Sequence, residues 1–297
     1  MVMKKETRHL LYFFLGTLLW TWVFYFSIVI FRLNWSSGLG LVLFIAGGPA
    51  PSFMGLLMVW KTYTRQQKRD YLARCIDFRR VGWCFLLAPL LFIVLAFVGV
   101  VIASLFKGEP PGMNALKALV ANPLMIPVAL FLYLWSGPLN EEFGWRGYAL
   151  DPLLARFGFV RGSAILGFVW GIWHLPWCFM PGQTQQLRSF WLYILSLIGL
   201  SLLMSFVYIR THRSILSALW VHFSSNFFMS QLLSPTSAQY ETWRMILLCI
   251  LGGVVFVYAI YKGDELLLSF KNEIAIVHGQ GESNEAKMVN WAQKCNF

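Results

Sequence analysis

The sequence has little charge and no pair of neighbouring cysteines, and each shortage argues against a class of protein. Only 12% of the 297 residues are charged, against about 25% in soluble domains, whereas 58% are hydrophobic. We therefore expect an integral membrane protein. The five cysteines form no CxxC pair, so neither a zinc knuckle nor a disulfide framework is indicated.

The sequence also lacks the signatures of several intramembrane hydrolases. It contains no HExxH, no GxSG and no GxGD motif. No internal repeat is evident, which argues against an inverted-repeat transporter. The net charge of +11 needs no nucleic acid as a partner, because anionic lipid and the retention of basic loops in the cytoplasm account for it.

Long apolar runs are what the sequence has instead. A helix needs about 20 mostly apolar residues to cross the hydrocarbon core of a bilayer. Eight such runs occur, at 10–31, 38–60, 81–106, 123–145, 162–180, 190–209, 214–233 and 243–261. We therefore predict an all-α, polytopic membrane protein with about eight transmembrane helices and both termini on the same side.

The basic residues divide unequally between the two sides of this eight-span arrangement. Nineteen of the 24 lysines and arginines fall on the side of the termini, seven of them in the loop 61–80. The other side receives five, which are Arg32, Lys107, Lys117, Arg188 and Arg244. Short loops rich in Lys and Arg stay in the cytoplasm, so both termini are predicted to be cytoplasmic. The loop 61–80 is either an amphipathic segment on anionic lipid or a solvated loop.

Three clusters of polar side chains interrupt the apolar runs, where such groups are costly and often functional. In Glu141-Glu142-x-x-x-Arg146, Glu142 and Arg146 stand at i, i+4 and are predicted to pair, which leaves Glu141 free. His174 follows Trp170 by four residues and precedes a proline that is expected to bend the helix. His222 and Asn226 share a helix face by the same i, i+4 spacing.

These residue types allow two kinds of chemistry. Glu141 and His174 can take a proton from one water and make it a nucleophile, while His222 and Asn226 can donate hydrogen bonds to the oxyanion of a tetrahedral intermediate. Alternatively, Glu141, His174 and His222 can hold a divalent ion, for which Zn²⁺ is the best match. The residues alone do not choose between a zinc site and a site without metal.

The three motifs, in this order on an eight-helix membrane protein, resemble those of the CPBP intramembrane proteases, which include CAAX-type prenyl endopeptidases and bacteriocin-processing or immunity proteins. The resemblance covers about residues 120–230. It implies a conical catalytic cavity open to the cytoplasm, a water activated by Glu141 and His174, an oxyanion site at His222 and Asn226, and a supporting role for Glu142 and Arg146. Trp170 stands where the family usually has Phe, a departure expected to change packing more than chemistry.

The resulting hypothesis is an intramembrane endopeptidase that cuts a membrane-associated substrate, prenylated or bacteriocin-like, in a bacterial plasma membrane. The alternatives are a non-catalytic immunity or scaffold protein, a small proton-coupled transporter and a lipid-modifying enzyme. The predicted partners are membrane lipid and a peptide or protein substrate. The predicted organisation is an N-terminal three-helix region (1–119), the catalytic core (120–233), the last transmembrane helix (234–261) and a polar cytoplasmic tail (262–297).

Overall fold

The computed structural model describes residues 2–106, 112–233 and 238–277, and its regular elements are helices. The α-helices are α1 (Val2–Ile30), α2 (Gly38–Gly47), α3 (Ala50–Thr62), α4 (Arg65–Ile76), α5 (Cys84–Leu105), α6 (Asn114–Ala121), α7 (Ile126–Trp135), α8 (Pro138–Gly144), α9 (Leu150–Trp173), α10 (Phe190–Arg210), α11 (Ile215–Asn226) and α12 (Ala238–Val277). The predicted all-α class is confirmed.

Six helical stretches of the described residues are long and apolar enough to cross a membrane. One of them, Pro123–Phe179, is 57 residues long and contains the fourth predicted run and all but the last residue of the fifth. The seventh predicted run holds α11, which has 12 residues and continues into a short π-helical turn. A polytopic helical protein is therefore supported, and the number of eight crossings stays a prediction.

The fifth predicted run begins at a sharp corner within α9. Gly158 has φ of 76°, in the left-handed region that favours glycine. Four residues later, a methyl group on Gly162 would lie 2.8 Å from the Leu153 carbonyl oxygen, so the chain can fold back closely only without a side chain there. The two glycines therefore separate the short helix before the corner from the long helix that leads to His174.

Helix α4 occupies the predicted basic loop 61–80 and docks on the bundle. Thr64 and Gln67 form a capping box at its start, which satisfies exposed backbone N–H groups. Tyr71 is buried, and its hydroxyl donates a hydrogen bond of 2.9 Å to the Phe143 carbonyl oxygen. The segment is thus an amphipathic helix whose buried face contacts protein, directly beside the Glu141-Glu142 motif.

A buried ion network ties α4 to the other helix ends on the side of the termini. Asp151 accepts a hydrogen bond of 2.6 Å from Arg213 and one of 2.8 Å from the Tyr208 hydroxyl. Arg74 contacts Asp70 at 2.9 Å and Asp151 at 3.3 Å. Burial by itself would lower the pKa of Arg213, but the neighbouring Asp151 carboxylate holds that pKa above its usual value.

Two close helix crossings hold the bundle around the site. A methyl group on Gly144 of α8 would lie 2.0 Å from the Pro51 carbonyl oxygen of α3. A methyl group on Gly252 of α12 would lie 2.2 Å from the Cα atom of Gly199 in α10. Small residues let helix backbones approach in this way, and the first crossing fixes the helix that carries both glutamates.

Helix α12 runs beyond the predicted end of the last transmembrane run at residue 261. It continues to Val277 and so includes the first part of the predicted tail 262–297. Residues 278–297 of that tail lie outside the described residues, as do residues 234–237 at the start of the predicted last span. The proposed domain boundaries stay predictions.

Candidate active site

Helix α8 places the two adjacent glutamates in different environments. Glu142 is fully buried, and its Oε1 atom accepts hydrogen bonds from Arg146 Nη1 at 3.0 Å and from His222 Nδ1 at 2.7 Å. The predicted pair of Glu142 with Arg146 is therefore present. The same Glu142 oxygen also accepts from His222 of α11. The buried Glu142 carboxylate therefore holds the His222 ring in place across the contact between α8 and α11.

Glu141 points instead toward Trp170 of α9. The indole Nε1–H of Trp170 donates a hydrogen bond of 2.5 Å to Glu141 Oε2. The Arg146 guanidinium lies over the same indole at 4.5 Å, and the His222 ring meets it edge to face at 5.1 Å. Trp170 therefore contacts the glutamate, the arginine and the histidine of two separate motifs.

His174 lies just after the last residue of α9. The helix ends at Trp173, and residues Leu175–Phe179 form a 3₁₀ turn. The predicted bend is thus a helix end, since Pro176 has no N–H with which to continue the helix. His174 Nδ1 lies 2.9 Å from the Trp170 carbonyl oxygen. A carbonyl oxygen can only accept a hydrogen bond, so His174 Nδ1 carries the ring proton. The Nε2 atom then has no proton and can accept a hydrogen bond.

Three polar groups converge on the space above Gly137, just before α8. A methyl group at this position would lie 3.2 Å from Asn226 Nδ2, 3.6 Å from Glu141 Oε1 and 3.6 Å from His222 Nε2. The i, i+4 spacing does place His222 and Asn226 on one face. The Asn226, Glu141 and His222 atoms surround a gap about as large as one methyl group. The gap stays open because Gly137 has no side chain.

The same groups line a cavity of about 520 Å³ within the bundle. Glu141, His174, His222 and Asn226 all lie in its wall, together with Trp170. The first three are buried, with 5%, 9% and 2% of their surface exposed, and Asn226 is half-buried. The cavity is large enough for a short peptide segment, since ligand pockets range from about 300 to 1,000 Å³.

The geometry does not favour the zinc alternative. Within the part of the chain that the structure describes, no three His, Cys, Asp or Glu side chains are grouped so that they could hold a metal ion together. Glu141, His174 and His222 therefore face one cavity without forming a compact set of ligands.

Sequence reasoning did not foresee one contact and missed one residue. The sequence predicts that Trp170 affects packing more than chemistry, and this stays a prediction, but the indole N–H of Trp170 also donates directly to Glu141. A phenylalanine could not donate that bond. Gly137 had no signal in the sequence, since a glycine beside a proline is typical of any helix start. Only the structure, in which three side chains from two helices converge beside Gly137, shows that this glycine borders the site.

The segment that contains the three motifs is also the segment that matches a known protein family. Residues 123–228 match the family model described as type II CAAX prenyl endopeptidase Rce1-like. This segment contains all of the candidate site residues. The chain is also similar to CAAX prenyl protease 2 of Methanococcus maripaludis, with 25% identity over 226 aligned residues. The aligned region covers 72% of this chain and 81% of that protein.

Proposed function

We propose that the chain, whose residues 123–228 match the family model described as type II CAAX prenyl endopeptidase Rce1-like, is a peptidase of that family. We propose that it is an intramembrane endopeptidase acting on a membrane-associated peptide or protein. Prenylated and bacteriocin-like peptides are the substrate classes that the resemblance suggests. The observation that carries the proposal is the convergence of Glu141, His222 and Asn226 on one gap.

In the proposed reaction, Glu141 is the general base. Its Oε1 atom faces the gap, while its Oε2 atom is held by Trp170. The carboxylate takes a proton from water, the water oxygen forms a bond to the scissile carbonyl carbon, and the peptide C–N bond then breaks. The proton held by Glu141 passes to the leaving amine. His174, which lines the same cavity and has Nε2 able to accept a hydrogen bond, orients the water in this proposal.

His222 and Asn226 supply the oxyanion site in this proposal. The Asn226 amide donates without any change of charge. His222 already donates through Nδ1 to Glu142, so its Nε2 atom can donate only when the ring is an imidazolium. Each donor to an oxyanion is worth about 3 kcal/mol.

Apolar side chains at the rim of the cavity support a substrate held in the membrane. Ile45 of α2, with Leu132 and Trp135 of α7, lines the cavity. Each of the three is also more than half exposed on the outer surface of the bundle. A lipid chain or an apolar peptide segment can therefore contact the cavity sideways, from the bilayer, between α2 and α7.

The deciding experiment replaces Glu141 by Gln and compares new peptide termini in membranes of cells that carry either form. Termini that depend on the wild type should disappear, because removing a general base lowers the rate by about 10²–10⁴-fold. His174→Ala should have the same effect. Glu265→Gln is the matched control, since Glu265 is exposed on α12 and far along the chain from the site.

Two results would contradict the proposal. If Glu141→Gln leaves all termini unchanged while an immunity phenotype persists, the chain is a non-catalytic immunity or scaffold protein. If the variant alters proton-coupled flux with no change in any peptide, the transporter alternative holds. Equal amounts of folded, inserted protein in each strain must be verified by detergent-solubilised gel filtration.

A further inference from the structure

An ion cluster borders the candidate active-site cavity and uses none of the residues of the three motifs. Its members are Arg188, just before α10, and Glu241 and Arg244, in the first two turns of α12. Glu241 and Arg244 stand at i, i+3, a spacing that brings two side chains together on one helix face. Both arginines line the cavity, whereas the Glu241 side chain is fully buried behind them.

The carboxylate of Glu241 holds both guanidinium groups. Its Oε2 atom accepts hydrogen bonds from Arg188 Nε at 2.5 Å and from Arg244 Nη2 at 2.8 Å. Its Oε1 atom accepts one from Arg244 Nε at 3.1 Å. Arg244 therefore uses one edge of its guanidinium, formed by Nε and Nη2, to bind Glu241, and this bidentate contact fixes the plane of the guanidinium.

The other edge of the Arg244 guanidinium has a donor left over. Among the residues that the structure describes, no group accepts a hydrogen bond from Nη1 of Arg244. Arg244 is only 5% exposed, and it lines the cavity. A buried donor without an acceptor costs free energy, so an acceptor that enters the cavity and meets this edge binds favourably.

An aromatic ring connects the cluster with the histidine proposed to orient the water. The Arg188 guanidinium lies over the Tyr193 ring, at 4.9 Å from the ring centre. The same ring meets His174 edge to face at 5.5 Å. One molecule bound in this cavity of about 520 Å³ can therefore reach both the arginines and the proposed catalytic groups.

The charges in the wall favour an anionic group over a cationic one. Apart from its histidines, the charged residues in the described part of the wall are Arg188, Arg244 and Glu141. Trp170 holds Glu141, and a cationic group beside the arginines would meet charge of its own sign. The planar guanidinium matches a carboxylate through two parallel hydrogen bonds, and the anionic group that a peptide offers is a carboxylate.

We infer that Arg244 and Arg188, positioned by Glu241, form a subsite for a carboxylate of the substrate. The inference deepens the proposed function and rests on it for the identity of the cavity. In a peptide, the carboxylate comes either from the free C-terminus or from an acidic side chain near the cut bond. Binding of either one fixes one end of the substrate segment and so aligns the scissile bond with Glu141.

A matched pair of small probes tests the subsite without any cleavage. N-decanoyl-leucine has an apolar chain and a carboxylate, and in its carboxamide a neutral amide replaces the carboxylate. By isothermal titration calorimetry in detergent, the wild type should bind the acid about 10–100-fold more tightly, since a charged group forms the stronger hydrogen bonds. Arg244→Gln should abolish this preference. Arg210→Gln, at an exposed arginine at the end of α10, is the matched control and should keep it.

Three results would overturn the subsite. They are equal binding of the two probes to the wild type, no binding of the acid, and a preference for the acid that Arg244→Gln retains. The comparison of the two probes on the wild type needs no variant, so it decides even if Arg244→Gln fails to fold. Arg244→Lys keeps the charge without the planar fork and should retain part of the preference.

Cleavage of peptides found in the membrane comparison identifies the source of the carboxylate. Each peptide is made with a free C-terminus or a carboxamide, and with each acidic side chain near the cut or its amide. A fall in kcat/KM of about 10–100-fold marks the carboxylate that binds, and Arg244→Gln should remove that difference. Equal rates for all forms contradict the subsite. If the wild type cuts no peptide but prefers the acid probe, the peptidase proposal fails and the subsite stands.

Discussion

At the scale of single residues, Trp170 forms hydrogen bonds with both Glu141 and His174, the two residues proposed to activate the water. Its side-chain N–H holds Glu141 Oε2 at 2.5 Å, and its backbone carbonyl accepts from His174 Nδ1 at 2.9 Å. One residue therefore sets the orientation of both the carboxylate and the imidazole. A catalytic base acts efficiently only when its orientation is fixed, because a misplacement of about 1 Å can lower the rate by about 10²-fold.

Replacing Trp170 by Phe, the usual residue of the family motif, should lower kcat by about tenfold and leave KM nearly unchanged. The reason is that the hydrogen bond orients the base in the transition state and does not bind substrate. Steady-state kinetics on a peptide identified from the membrane comparison measures both constants. Trp220→Phe is the control, since the Trp220 indole donates to Phe85 at 2.9 Å outside the cavity. A kcat equal to that of the wild type would contradict the orienting role.

At the scale of helices, the crossing of α10 with α12 depends on backbone contact without side chains. Gly199 and Gly252 meet so closely that a single methyl group cannot be added to either without moving a helix. Helix α10 also carries Tyr193, whose ring meets His174 edge to face at 5.5 Å. The helix crossing therefore supports one wall of the site.

The adjacent glycines of α12 provide a matched test of that crossing. Gly252→Ala should destabilise the protein by about 1–3 kcal/mol, the usual cost of overpacking. Gly253→Ala places its methyl group where nothing lies within 4 Å, so it should be neutral or stabilise the helix by up to about 1 kcal/mol. Thermal unfolding in detergent distinguishes the two. Equal midpoints for both variants would mean that the crossing does not limit stability.

At the scale of the whole molecule, the Asp151 network joins the helix ends on the side of the termini. It joins α4, the short helix before the Gly158 corner, the end of α10 and the loop that leads to α11. These elements lead directly to the helices that carry Glu141, His174 and His222. Breaking the network is therefore expected to affect the folded state as a whole more than the chemistry.

Asp151→Ala should lower the free energy of unfolding by about 3–5 kcal/mol, because it leaves two buried guanidinium groups short of a carboxylate. Denaturation in detergent, followed by tryptophan fluorescence, measures the loss. Arg79→Ala removes an ion pair whose arginine side chain is 92% exposed, so it should unfold like the wild type. A small effect at Asp151 would show that Asp70 alone satisfies both Arg74 and Arg213.

The sequence by itself determined the class of protein, the order of the apolar runs, the unequal distribution of basic residues among the loops and the three polar motifs. These properties are local or additive, because they depend on composition, on helical spacing and on counts of charge. The i, i+4 spacing was sufficient to predict the pair of Glu142 with Arg146, and to place His222 and Asn226 on one face.

Only the tertiary structure decided which groups meet around one cavity. The bond from Trp170 to Glu141, the gap above Gly137 and the end of α9 at His174 depend on contacts between residues far apart in sequence. The lining of the cavity likewise comes from several helices at once. Spacing along a chain specifies the face of one helix, but the packing of several helices determines what that face meets.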